Sequence, residues 1–278
     1  MKAIKTFLLM ATMTLILMFF GNLLGGRNGV GIALLFSVGM NFFSYWYSHK
    51  IILSMYRAQP VEEGSRVYEI TQRVARRADL PMPKVYMINE SQPNAFATGR
   101  NPENSAVAVT RGLVEILDEN ELAGVIGHEL GHINNRDILI GTMAASLAGA
   151  ITYLAHMARW SAIFGGRRSR EGSPFALIAT MILAPLAAMI VQMAISRTRE
   201  YKADEYGARV SGHPLYLARA LRKLSNYRRE PNMKLNPATS HLFIVAPLKG
   251  KDISSLFSTH PRIEVRIKKL EEMAEGGY

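Results

Sequence analysis

The sequence predicts an α+β protein, mainly helical with a small β-sheet, that also carries two apolar helical hairpins. Three observations support this. Four windows lack Asp, Glu, Lys and Arg altogether: Thr6–Gly26, Asn28–His49, Ile138–Ala158 and Gly172–Ser196. Between the second and third lie short runs of β-forming residues bounded by Pro, Gly and Asn. Directly before the third lies an amphipathic helical stretch containing His128-Glu129-Leu130-Gly131-His132. The expected organisation is an N-terminal hairpin at 1–49, a catalytic part at 50–137, a second apolar hairpin at 138–196 and a second catalytic part at 197–278.

Each charge-free window, as a helix rising about 1.5 Å per residue, is long enough to cross a hydrocarbon core of about 30 Å. Lys2 and Lys5 before the first window resemble the start of a signal peptide, but no small-residue cleavage site follows and a second apolar run begins almost at once. A retained hairpin is the better reading. Lys2, Lys5, Lys50, Arg57 and Arg66 flank its two ends, against Arg27 alone in the connection, which places both ends and the zinc-type motif in the cytoplasm. Phe42, Phe43, Tyr45, Trp46 and Tyr47 gather where an interface belt is expected. The second hairpin is less regular. Its loop carries Arg159, Arg167, Arg168 and Arg170 against Glu171, and its windows contain His156, Pro174 and Pro185, so a spanning and a re-entrant form both fit.

In the soluble parts, Glu62–Ala78 reads as a helix with Val67, Ile70 and Val74 on one face, ended by Pro81 and Pro83. Lys84–Ile88, Asn94–Thr98 and Ala106–Thr110 read as strands, the last two joined by the turn Gly99–Asn104. Thr110 caps a short helix, Arg111–Leu117. Asp118 and Glu121 form a capping-box pattern at the start of the motif helix, whose buried side is Leu122, Val125, Ile126, Leu130 and Ile133. Asn134 to Asp137 end it just before the third apolar window.

Composition narrows the chemistry. The 278-residue chain has no cysteine, which excludes disulfides and thiolate metal sites and leaves nitrogen and oxygen ligands. Its net charge of +11 clusters beside the apolar runs, so membrane flanks explain it better than nucleic acid, which is excluded as a partner. Residues four apart share a helical face. His128 and His132 can therefore hold one metal ion, with Glu129 beside them as general base toward a water. A third ligand is needed, and Glu200 and Asp204 are also four apart, directly after the fourth window. Glu200 is assigned to the metal and Asp204 to the outer N–H of a ligand histidine, with Glu205 as the fallback ligand. An even number of crossings by the second hairpin returns Glu200 to the side on which His132 lies.

With these residues in view, the chain resembles the HtpX family of membrane zinc endopeptidases, relatives of the type I CaaX prenyl proteases. The resemblance covers essentially the whole chain: the N-terminal hairpin, Pro93-Asn94-Ala95-Phe96-Ala97-Thr98-Gly99, the His128 motif, the apolar hairpin and Arg199-Glu200-Tyr201-Lys202-Ala203-Asp204. It implies a zincin-like (gluzincin) catalytic domain with one zinc ion per chain, held by His128, His132 and Glu200, and Glu129 as catalytic base. It also implies an inner-membrane enzyme facing the cytoplasm that degrades misfolded or damaged membrane proteins and unfolded polypeptides in quality control and stress response. The four windows are fewer than the spans of CaaX proteases, which makes prenyl-protein processing the weaker alternative.

Further expectations rest on the residues themselves. Asn94 and Ala95 are expected to contact substrate backbone, because an edge strand beside the motif helix can accept a peptide as an added strand. For His260 the two readings are an oxyanion donor and a bystander beside Thr259, the cap of a C-terminal helix. His213 and His241 read as turn histidines. The rival from another class is a zinc-pinned membrane adaptor without catalysis. A transporter finds no support, since ionisable residues lie largely outside the apolar windows.

Overall fold

The structure is a computed structural model that describes residues 2–144, 197–227, 244 and 261–276. The first element, α1, is helical over Lys2–Met55, six residues past the expected end of the hairpin at 49. It is not straight. Asn41 Nδ2 donates to Thr14 Oγ1 at 3.1 Å and approaches the Met10 carbonyl at 3.4 Å. Along a straight helix those groups would lie roughly 40 Å apart. The chain doubles back near Gly26, whose φ of +54° is a conformation that favours glycine. Among the described residues, one helix is long and apolar enough to cross a membrane, Gly26–Met55. The second apolar hairpin lies outside the described residues, save that 138–144 begin a helix.

Four strands form a mixed sheet in the order β1-β2-β4-β3, with β1 Gln59–Pro60, β2 Lys84–Ile88, β3 Ala95–Gly99 and β4 Ser105–Thr110. β2 and β4 run parallel, from Lys84↔Ala106 to Ile88↔Thr110, whereas β3 and β4 form an antiparallel pair from Ala95↔Val109 to Gly99↔Ser105. The three longer strands lie within a residue of their expected positions. The two-residue β1 is exposed and contains Pro60, so it carries no alternation to read.

Side chains alternate across the sheet and build two cores. Val85, Ala95, Ala97, Val107 and Val109 face the main core, with α2 (Arg66–Arg77) and α4 (Glu119–Asn134). Ile88, Phe96, Ala106 and Ala108 face the other way, against Ile52 and Leu53 at the end of α1. The outer strand β3 is thus held between the motif helix and the base of the apolar helix. The α2 helix starts four residues later than Glu62, because Gly64 at φ +85° completes a turn and Ser65 takes the N-cap position.

Local caps fix the elements around the site. Thr110 Oγ1 accepts from Leu113 N at 3.2 Å, starting α3 (Arg111–Ile116). At α4, Asp118 Oδ1 accepts from Glu121 N, and Glu121 Oε2 accepts from Asp118 N, both at 2.9 Å. Among the described residues, three more helices follow the apolar segment: α5 (Arg197–Ser211), α6 (Pro214–Asn226) and α7 (Ile263–Glu275). His213 caps α6 by accepting from Leu215 N at 3.2 Å. The cap of α7 is Arg262 rather than Thr259, which lies outside the described residues together with His156, His241 and His260.

Glycines set how closely these helices pack. A Cβ on Gly207 of α5 would lie 2.6 Å from His128 N, and one on Gly131 of α4 would lie 2.9 Å from Ala203 Cα. Similar contacts place Gly127 on Gly207 and Gly124 on Leu217 of α6. With no side chains between them, the backbones of α4 and α5 touch. This contact brings residues from either side of the apolar segment into one site.

Candidate metal centre

His128 and His132 project from α4 one turn apart, and Glu200 projects from the first turn of α5. His128 Nε2 lies 3.8 Å from Glu200 Oε2, and His132 Nε2 lies 3.5 Å from Glu200 Oε1. One ligand atom from each residue falls within 4.8 Å of the others. Ligand bonds of 2.0–2.1 Å give tetrahedral edges of about 3.3 Å, so the cluster needs little movement to close on one ion. Two imidazoles and a carboxylate on two rigid helices therefore fit a catalytic divalent metal.

Both Nε2 atoms face Glu200, so each Nδ1 is left for an outer partner. His128 Nδ1 meets Asp204 Oδ1 at 2.8 Å. Behind Asp204 stands Arg266 of α7, a fully buried guanidinium that sequence reasoning missed. Its Nε donates to Asp204 Oδ2 at 2.8 Å, Nη2 donates to Asp204 Oδ1 at 2.6 Å, and Nη1 donates to the Ile244 carbonyl at 2.9 Å. A signal for it existed. Ile263, Arg266, Ile267 and Leu270 share one stripe of α7, so the cation falls on the apolar face.

Burial alone would raise the Asp204 carboxyl, but Arg266 and His128 hold it below the usual carboxylate range. Glu129 behaves oppositely. Burial pushes its carboxyl up, against the pull of His128 and His132. Its Oε2 accepts from the Ala97 N–H of β3 at 2.7 Å, which fixes the carboxylate beside the donor cluster. Burial also works against a charged His132, yet Asp137, Glu200 and Glu129 prevail and push its pKa up to about 9. A bound cation would replace that proton.

Other expected residues fall as follows. Asn94 uses its backbone on β4, its N–H donating to Thr110 Oγ1 at 2.8 Å and its carbonyl accepting from Thr110 N at 2.9 Å. By alternation, the backbone of Ala95 faces the outer edge of β3, as that of Ala97 does. Glu205 is exposed and pairs with Arg209 at 3.0 Å, away from the cluster, which removes it as fallback ligand. His260 is outside the described residues.

Comparison with known proteins shows the family. Peptidase family M48 matches residues 62–274. A protein named Protease HtpX homolog from Desulforapulum autotrophicum is 54% identical over 280 residues, covering 99% of this chain and 91% of that protein. Another of the same name from Thermodesulfovibrio yellowstonii is 55% identical over 279 residues, covering 99% of each. The crystal structure of S. mikatae Ste24p shares the fold, with a TM-score of 0.52 and 20% identity. That match takes in 97% of this chain and 65% of the larger Ste24p chain. Fold and donor set together define a metalloprotease. The chain belongs to peptidase family M48.

Proposed function

We propose that this metalloprotease is a zinc-dependent endopeptidase embedded in the cytoplasmic membrane, cleaving misfolded or damaged membrane proteins and unfolded polypeptides on the cytoplasmic side. The observation that carries the reading is the meeting of His128, His132 and Glu200 within 4.8 Å, with the Glu129 carboxylate bonded to β3 beside them. The donor set of two imidazoles and one carboxylate, with no thiolate, is that of a catalytic zinc rather than a structural one. Zinc, when bound, supplies a Lewis acid for the scissile carbonyl and makes water acidic enough to react near neutral pH.

The chain's own residues do the rest. Glu129, whose carboxyl burial makes more basic, accepts the proton of the attacking water and returns it to the leaving amine. The Ala97 N–H holds one carboxylate oxygen in position throughout. Asp204 fixes His128 with Nε2 toward the metal. Substrate extends β3 as an added strand, using the Ala95 backbone and the Asn94 side chain.

The membrane reading rests on α1. Phe7, Leu15, Phe19, Ile32, Leu35, Phe36, Phe42 and Phe43 are exposed on it, a surface suited to lipid. Arg100, just after β3, stacks over Trp46 with its guanidinium carbon 4.0 Å from the ring centre, which supports a site close to the interface. Basic flanking residues support the cytoplasmic orientation.

The test is casein hydrolysis in zinc-supplemented detergent. Glu129→Gln is expected to abolish cleavage while zinc stays bound, whereas His128→Ala loses both. Retained cleavage by Glu129→Gln would favour the zinc-pinned adaptor and remove the catalytic assignment.

A further inference from the structure

His132 has an outer partner whose position in the sequence conceals it. Asp137 ends the motif segment and directly precedes the apolar residues 138–196, and Arg199 follows them as the third residue of α5. In the fold these two ends meet. Arg199 Nη1 lies 3.6 Å from Asp137 Oδ1, and Asp137 Oδ2 lies 3.8 Å from His132 Nδ1. Asp137 Oδ2 is buried and makes no hydrogen bond among the described residues. A buried carboxylate oxygen left without a donor is unfavourable, and such atoms in folded proteins call for an explanation.

The explanation lies in what faces it. With His132 Nε2 directed at Glu200, the ring presents Nδ1 toward Asp137. Closing 3.8 Å to a hydrogen bond takes a shift of about 1 Å. With Nε2 committed to a metal, His132 would carry its ring proton on Nδ1, the nitrogen that faces Asp137. At the other ligand, His128, Asp204 and Arg266 already stand in this order of imidazole, carboxylate and guanidinium.

We infer that Asp137 is the positioning residue of His132, accepting its Nδ1–H and so presenting Nε2 to the metal, and that Arg199 holds Asp137 in place from the far end of the apolar segment. The inference rests on the metal-site reading above. It also gives the brace a second effect: the ion pair joins the two described stretches that flank the apolar segment, Asp137 before it and Arg199 after it, and ties both to a metal ligand through one contact.

The test is the zinc affinity of the full-length protein in detergent, measured by titration against a chelating competitor, with His132→Ala as a control for loss of the site. Asp137→Asn, which keeps the shape and removes the charge, is expected to weaken binding about 10–100-fold. Arg199→Gln weakens it by a smaller factor, Arg199→Lys restores most of the loss, and adding Arg199→Gln to Asp137→Asn brings no further loss. Should Asp137→Asn fail to fold, the Arg199→Gln and Arg199→Lys pair still decides. Unchanged affinity in Asp137→Asn, or effects of the two substitutions that combine in full, overturns the brace. Wild-type protein that binds no zinc overturns the site reading and the brace together; wild type that binds zinc as tightly as Asp137→Asn overturns the brace alone.

Discussion

Arg266 shows how far the site depends on groups that never touch a reacting atom. Its side chain is fully buried, and its guanidinium spans Asp204 with two hydrogen bonds while a third fastens the Ile244 carbonyl. Removing one partner of a buried ion pair leaves the other charge uncompensated, at about 3–5 kcal/mol. Arg266→Met is therefore expected to destabilise the protein by that amount in urea unfolding followed in detergent. Arg266→Lys keeps the charge but loses the planar fork, and should fall between the two. A wild-type midpoint for Arg266→Met would show that Asp204 does not need the cation. At this scale the sequence was legible wherever one helical turn suffices. His128 with His132, Glu200 with Asp204, and Asp118 with Glu121 each follow from spacing of three or four residues. Asp137 and Arg199 were not, because a charged side chain near a helix end or turn ordinarily faces water. Arg266 showed only as a cation on the apolar stripe of α7, with nothing to name Asp204 on another element as its partner.

Among the elements, the contact between α4 and α5 decides whether there is a site at all. Gly207 lies against the His128 backbone, where a Cβ would sit 2.6 Å from the amide nitrogen. Neither backbone can give way cheaply, so Gly207→Ala forces the helices apart. The expected cost is about 1–3 kcal/mol from overpacking, with zinc content falling as Glu200 moves away from both imidazoles. Metal analysis of purified protein checks this; full zinc occupancy with unchanged thermal stability would contradict the close packing. The role of Gly124, Gly127 and Gly131 was illegible in the sequence. A glycine inside a helix reads as a weak helix former until the helix packed against it is known. The strand pattern was clearer, since Lys84–Ile88 and Ser105–Thr110 are bounded by Pro, Gly and Asn. That β2 pairs with β4 in parallel and leaves β3 outside is a tertiary choice, which periodicity does not encode.

Taken whole, the molecule joins an apolar helix to a catalytic sheet through one small core. Ile52 and Leu53 of α1 pack on Phe96, Ala106 and Ala108, so the strand that holds Glu129 through Ala97 also rests on the base of the apolar helix. The absence of cysteine makes sidedness easy to measure. A single cysteine introduced at the exposed Glu275 of α7 is expected to react with a membrane-impermeant thiol reagent in inverted vesicles and to stay protected in intact cells. Labelling in intact cells would contradict the cytoplasmic placement.

The most direct measurement is anomalous diffraction at the zinc edge from crystals of the metal-loaded protein. The expected result is one peak per chain, bounded by His128 Nε2, His132 Nε2 and a Glu200 carboxylate oxygen at about 2.0–2.2 Å, with Glu129 adjacent and not ligating. A peak elsewhere, or one that Glu200 does not touch, would contradict a metal centre assembled from both sides of the apolar segment.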